Sequence, residues 1–489
     1  AGFIDGFQVK LLPESADPQD IRYNMIQWVH RATRGWSYGS VISDPRTGEI
    51  IKGHVTLGSL RVRQDLLIAR GLTSGWKDRK AAHEASMKMA LARIRQLAAH
   101  EVGHTLGLAH NFAASTFNDS SVMDYPHPKI GMKNGEIDIA HAYGVGVGAW
   151  DNFAIQYGYG DFGNKQNTQI ALAELVKQAQ KQGLRNISEA DSRAANSGHV
   201  YASLWDNGKD AVDELNRLQS IRELVIKGFG KQALLPDQFQ GSLSDAFVPM
   251  YLLSRYQINA AAKYLGGTQY SYYQSPISSP AKQWHFVSAN KQRAALKALL
   301  KTIESDELLV PKKLVSQLVP KAGVLTNTRE SFPSSLGVIV DPLAMAEVLS
   351  RHTLNNILQP KRLDRINQAY WMDEEQLSVA ELIDDVMHAS FLGQAVEKAQ
   401  TAIWMRVNAV AVDSLLASLH SKNTTTEVKA ILASKLEFAI GRLKHKAKRA
   451  GSAQAAHFNW LATSIEKGID DKQFRLIEKP LPMPPGSPI

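Results

Sequence analysis

Three histidines and one glutamate carry the most chemical information in this 489-residue chain: His100-Glu101-Val102-Gly103-His104-Thr105-Leu106-Gly107-Leu108-Ala109-His110. Residues four apart on a helix share a face, so the imidazoles of His100 and His104 can aim at one point. Glu101, one position on, reaches the same side without being forced into a metal's coordination shell. Gly107 supplies the left-handed conformation through which helices commonly end, and the turn brings His110 back as a third nitrogen. Three protein ligands leave one tetrahedral position for water, the arrangement of a catalytic centre holding one Zn²⁺ rather than of a closed structural site. At this composition the full pattern arises by chance in roughly one chain in twenty thousand. Coincidence is therefore set aside.

These side chains need elements to hold them. From about Lys77 to Leu108 the sequence is rich in Ala, Lys and Arg and free of Pro, which predicts one long helix ending at the histidine motif. Upstream, residues 7–12 and 21–29 read as strands from their β-branched and aromatic content. Asp44-Pro45-Arg46-Thr47-Gly48 is a turn joining 40–43 to 49–60 in a hairpin. A short helix over 151–158 closes this half. Past Gly160, apolar residues recur at helical spacing over 167–184, 209–230, 245–265, 290–304, 341–357, 376–398, 400–420 and 426–450. Gly266-Gly267, Pro276 to Pro280, Pro333-Ser334-Ser335 and Pro360-Lys361 punctuate them. The expected architecture is α+β, a twisted sheet plus a long zinc-binding helix over residues 1–162. A mostly α-helical accessory region follows over 163–489, divisible near 330. A Pro-rich stretch, Pro480 to Pro488, is expected to run extended.

Composition narrows the function classes. A hydrophobic fraction of 44% and a charged fraction of 21% are those of a globular protein. No uninterrupted apolar run reaches the length of a bilayer crossing. The net charge of +9 is spread thinly, which gives no nucleic-acid footprint. Its densest part, Arg442 to Arg449, reads as a solvated helix end. With no cysteine, thiol catalysis, disulfides and thiolate metal sites are excluded. Asp206-Asn207-Gly208-Lys209-Asp210 lacks the alternating carboxylates of a calcium loop and reads as a turn. Tyr270-Ser271-Tyr272-Tyr273 reads as helix packing, and His30, His54, His83 and His141 lack metal spacing.

A second segment, Ser121-Val122-Met123-Asp124-Tyr125-Pro126, stands at a fixed separation from His110. It resembles the Met-turn that follows the zinc helix in metzincins, and H-E-x-x-H-x-x-G-x-x-H is the metzincin pattern. The chain is similar to metzincins over residues 1–160. It looks most like large exported bacterial zinc metalloproteases whose flanking domains are of unknown function. The closer likeness is carried by Asp20 to Asn24, Trp36 to Gly39, Asp44 to Ile50, Gly53 to Gly58, Leu204 to Gly208 and Pro484 to Ile489. Relative to that family the first strand and helix are missing from the pattern, so the sheet is expected to be one strand short.

The resemblance implies a zinc-dependent endopeptidase acting on an extended polypeptide, located outside the cytoplasm in the periplasm or at or beyond the cell surface. Glu101 is then the general base, Met123 the residue beneath the histidines, and Tyr125 an oxyanion partner, a fifth ligand or simple packing. An edge strand of Gly53, His54, Val55, Thr56, Leu57 and Gly58 would pair with the substrate backbone. Pro126 and His127 would border the pocket for the side chain after the cleaved bond. Two alternatives share the sequence: a zinc amidase acting on a non-protein amide, and a catalytically inactive helical scaffold. Glu101 argues against the second, since an inactive site has no chemical need for a base.

Overall fold

The computed structural model describes residues 3–30, 36–117, 119–272, 284–321, 323, 327–393 and 397–486. Contacts divide the chain into two units, Ala1–Ala190 with Leu204–Lys209 and Gly486–Ile489, and Asp191–Ser203 with Asp210–Pro485.

The first unit is built on a three-stranded sheet of order β1-β3-β2, with β1 Met25–Val29, β2 Tyr38–Ser43 and β3 Ile50–Gly58. β3 runs parallel to β1 and antiparallel to β2. The pleat sends alternate residues to opposite faces. Val55 and Leu57 therefore pack with Leu97, Ile94, Ala98 and Val102 of the long helix, while Lys52 faces away. Lys52 is buried with its ammonium donating to the Asp20 and Tyr23 carbonyls at 2.8 and 2.6 Å. Each fully buried aliphatic chain in such a core contributes roughly 1.5–3 kcal/mol.

Helix α1, Leu60–Leu72, returns the chain across to α2, Arg79–Thr105. α2 starts where the Asp78 carboxylate accepts the Ala81 N–H at 3.0 Å, satisfying an otherwise orphaned donor. It ends as expected. Gly107 has φ +79°, with Leu108 N donating to the Gly103 carbonyl and Gly107 N to that of His104. Between the helices lies a buried polar knot, with Arg61 and Asp65 paired at 2.6 Å and Tyr143 donating to Asp65 at 3.2 Å. The unit continues through the hairpin β4 Gly131–Lys133 and β5 Glu136–Asp138, then α3 Ala149–Tyr159, α4 Lys165–Lys181 and the start of α5, Glu189–Arg193.

Among the described residues, the regular structure of the second unit is helical apart from the short strand pair Thr268–Tyr270 with Trp284–Phe286. Its longest helices are Ala211–Gly228, Pro342–Ile357, Thr401–His420, Thr426–Ala447 and Ser452–Asp470. Thr401–His420 is long and apolar enough to cross a membrane, but 72% of that stretch is buried inside the protein, as a core helix is. Within this unit the Pro-rich stretch is extended through Pro485, with Arg255 donating to the Pro484 carbonyl at 2.9 Å.

The architecture of sheet, long helix and helical C-terminal region matches the expected fold class. Several details differ. Residues 7–12 form no strand; Phe7, Val9 and Leu11 are exposed, so their alternation has no face to bury. The strand expected over 21–29 begins only at Met25. The hairpin arm expected to reach Leu60 stops at Gly58 and gives way to α1. The first unit also runs past 162 to Ala190, because α4 and residues 182–190 pack back on it.

The helix expected over 245–265 is broken into Leu243–Tyr251 and Arg255–Ala262, with Pro249 inside the first. Pro360, read as punctuation, opens helix Pro360–Met372 at its first turn, where the Gln359 side chain accepts the Arg362 N–H at 2.9 Å. The segment 376–398 is helical only from Val379, and ends in a π-helical turn over His388–Leu392. Tyr273, the Pro276 to Pro280 punctuation and Ser487 to Ile489 lie outside the described residues.

Candidate active site

The last turns of α2 carry the site. His100 and Glu101 are buried, and His104 sits one turn further along the same face. The His104 Nε2 lies 3.1 Å from the His100 Nε2 and 3.2 Å from the His110 Nε2. An ion bonded at 2.0–2.1 Å to three tetrahedrally placed nitrogens sets them about 3.3 Å apart. The spacing suits an ion bonded at that length, and these three residues form a group able to hold a metal ion.

The opposite ring nitrogens explain why the three face one another with lone pairs. His100 Nδ1 donates to the Val122 carbonyl at 2.6 Å, and His104 Nδ1 to that of Leu108 at 2.9 Å. His110 Nδ1 donates to the Glu189 Oε2 at 2.8 Å. A nitrogen hydrogen-bonded to a carbonyl or carboxylate oxygen must carry the proton, which leaves each Nε2 as a bare donor to a metal. Burial, aided by neighbouring His104, holds the His100 imidazole well below its usual range, so it stays neutral.

Glu101 lies against the edge of the sheet. Its Oε1 is buried without a hydrogen-bond partner among the described residues. Burial pushes the carboxyl up to about 7, against the opposing pull of the Gly39 backbone hydrogen bond and the Arg93 guanidinium. Gly39 on β2 must be glycine for a separate reason: a Cβ there would stand 2.1 Å from the Glu101 carbonyl oxygen and 3.0 Å from the His104 Cβ.

Met123 is fully buried beneath the histidines. A Cβ on Gly103 would meet its sulfur at 2.3 Å, so the glycine between the two helical histidines makes the room the methionine occupies. The turn carrying Met123 is braced by Asp151 of α3. That buried carboxylate accepts from Ser121 Oγ at 2.6 Å, Val122 N at 2.8 Å and Gly148 N at 2.7 Å. Gln96 of α2 adds a bond to the Val122 carbonyl at 3.1 Å.

Tyr125 is buried, its ring edge-on to His110 at 4.7 Å and stacked on Trp205 at 5.3 Å. Trp205 holds φ +57°, a left-handed conformation that costs a bulky residue energy and that clusters at functional sites. It belongs to the returning segment Leu204–Lys209, in which Asn207 donates to the His127 carbonyl at 3.1 Å and Asp206 accepts from Ser115 at 3.1 Å. Pro126 and His127 line a cavity of about 220 Å³ with Asp119, Asp124, Asp206 and Gly146. Burial and the facing Asp206 push Asp124 well above the carboxylate range.

One expectation is corrected. Gly53 to Gly58 do not offer an edge: β3 is the central strand, paired through His54–Gly58 with β1 and through Ile50–Thr56 with β2. Its backbone is already spent on its neighbours. Gly53 instead permits close packing, since a Cβ there would lie 2.9 Å from the Thr105 Cβ. The edge beside the histidines is β2, through Gly39. Glu189, Asp151, Gly39, Gln96 and Trp205 were not singled out by sequence reasoning. Gly39 and Trp205 lie within the Trp36 to Gly39 and Leu204 to Gly208 stretches, which carried only the family likeness and no role at the site.

With this geometry in view, comparison with known families matches residues 82–395 to one described as Met-zincin. No curated protein and no solved structure matches the chain.

Proposed function

The chain belongs to the Met-zincin family, and on that premise we propose that it is a zinc-dependent endopeptidase that hydrolyses peptide bonds within extended polypeptides. The observation that carries the reading is the convergence of three Nε2 atoms, at 3.1 and 3.2 Å, with the adjacent Glu101 keeping a buried carboxylate oxygen that has no hydrogen-bond partner among the described residues. His100, His104 and His110 would hold the ion. When bound, zinc supplies Lewis-acid polarisation of the scissile carbonyl and of a water molecule.

The remaining work falls to the chain's own groups. Glu101 takes a proton from the attacking water and returns it to the leaving amine. A carboxyl lifted to about 7 can do both near neutral pH. Tyr125 is assigned to the oxyanion or to a fifth ligand position; its ring contacts with His100 and His110 support that role. The substrate backbone adds to β2 rather than to β3, with main-chain hydrogen bonds giving affinity and little sequence preference. Pro126 and His127 border the cavity that receives the side chain following the cleaved bond.

The test is casein hydrolysis by the full chain, with and without chelator, beside Glu101→Ala. Activity should vanish on chelation, return with added zinc, and be absent in the variant. Hydrolysis indifferent to both treatments would end this reading.

A further inference from the structure

We propose that Glu189 is the positioning residue of the third zinc ligand, holding His110 in the one ring orientation and tautomer that present Nε2 to the metal. The inference rests on the zinc-centre reading above and deepens it.

The three histidines are not held alike. His100 and His104 donate through Nδ1 to backbone carbonyls, of Val122 and Leu108, within the zinc motif or the Met-turn. His110 donates to a side-chain carboxylate from far along the chain, the Glu189 Oε2 at 2.8 Å. His110 has already left the helix at Gly107, so no helical geometry fixes its ring. Phe112 stacks on it at 4.9 Å and 15°, and Tyr125 meets it edge-on at 4.7 Å. Those contacts set the plane of the ring. They do not distinguish its two faces, because a half-turn about the Cβ–Cγ bond leaves the same plane while exchanging the positions of the ring nitrogens and carbons. A carboxylate on one side breaks that degeneracy. It also draws the Nδ1 proton and makes Nε2 a better donor to a cation.

Glu189 is itself held in place. Asn111, fully buried and adjacent to His110, donates through its side chain to the Arg185 carbonyl at 2.8 Å and through its backbone to the Met123 carbonyl at 3.1 Å. Leu184 and Ile187 are buried, so the strap leading to Glu189 is anchored on both sides of Arg185. Its carboxylate is 42% exposed. Losing it therefore opens no core void, and a merely structural role predicts little effect on the metal.

The experiment measures zinc affinity of the full chain by competition against a chelator of known affinity at fixed pH, in wild type, Glu189→Ala and Glu189→Gln. Thermal unfolding of each metal-free protein is recorded alongside. Glu189→Ala should bind zinc about 10- to 100-fold more weakly, with the unfolding temperature of the metal-free form unchanged. Glu189→Gln, which keeps an acceptor oxygen of similar shape, should recover part of that loss. Equal zinc affinity in wild type and Glu189→Ala overturns the role of Glu189 while leaving the metal centre standing. A wild-type chain that takes up no zinc overturns both.

Discussion

At the scale of single residues, the site assigns separate tasks to neighbouring side chains. The three histidines form a group able to hold a cation, and Glu101, one position from His100, stands outside that group with a buried oxygen that has no partner among the described residues. Glu101→Gln should lower kcat by about 10²- to 10⁴-fold, the usual worth of a positioned acid–base group, while zinc content by metal analysis stays at the wild-type level. A variant that loses zinc as well would mean that Glu101 holds the site together rather than moving protons. Asp151 belongs to the same scale. It takes three hydrogen bonds from the Met-turn and the start of α3. Asp151→Asn keeps the shape but turns one acceptor oxygen into a donor facing donors. A loss of about 2–4 kcal/mol is expected in denaturant unfolding of the zinc-loaded protein.

At the scale of elements, the decisive contact is that of β2 with the zinc helix. Gly39→Ala would drive a methyl group into the Glu101 carbonyl at 2.1 Å, and backbone cannot yield as a side-chain tip can. The strand must move outward, at a cost on the order of 1–3 kcal/mol. If β2 is the substrate strand, KM for an extended peptide should rise along with the loss in unfolding free energy. An unchanged KM in a destabilised variant would remove β2 from substrate binding.

This is also where sequence reading reached its limit. His100, His104 and Gly107 were legible because a helix converts spacing directly into direction, and Met123 because its separation from His110 is short. Strand order is not written in alternation: Gly53 to Gly58 look the same whether central or at an edge, and pairing with both neighbours had to be seen. Glu189 and Asp151 are ordinary acids at ordinary helix starts, and only the folded chain brings them to His110 and Val122. α1 was missed because Arg61, Arg63, Gln64 and Asp65 blur its apolar stripe; Arg61 and Asp65 are buried as a pair.

At the scale of the molecule, the helical unit carries its own response to acid. Burial depresses His352 to about 4, its Nε2 donating to the Arg255 carbonyl at 2.9 Å, and burial does the same to His457. Both folded values lie below the unfolded value near 6.5, so the unfolded chain binds protons first as pH falls. Their contribution is fully present above about pH 6.5 and is lost progressively down to about 4, where it levels off. For His352 the loss amounts to about 3 kcal/mol at most. Unfolding free energies measured between pH 7 and pH 4 should fall along this curve, and His352→Gln should flatten it. A wild-type protein equally stable at pH 7 and pH 4.5 would contradict the burial argument.

The three ring nitrogens that crowd together at the end of α2 have one more implication. Their protons are pinned to oxygens on the far side of each ring, so the chain cannot relieve the crowding by moving a hydrogen between them. Filling the gap with a cation converts mutual repulsion into attraction, and that gain is added to the folded state alone. Supply of the metal would therefore govern how much polypeptide survives unfolding and degradation, beyond how fast each surviving copy works.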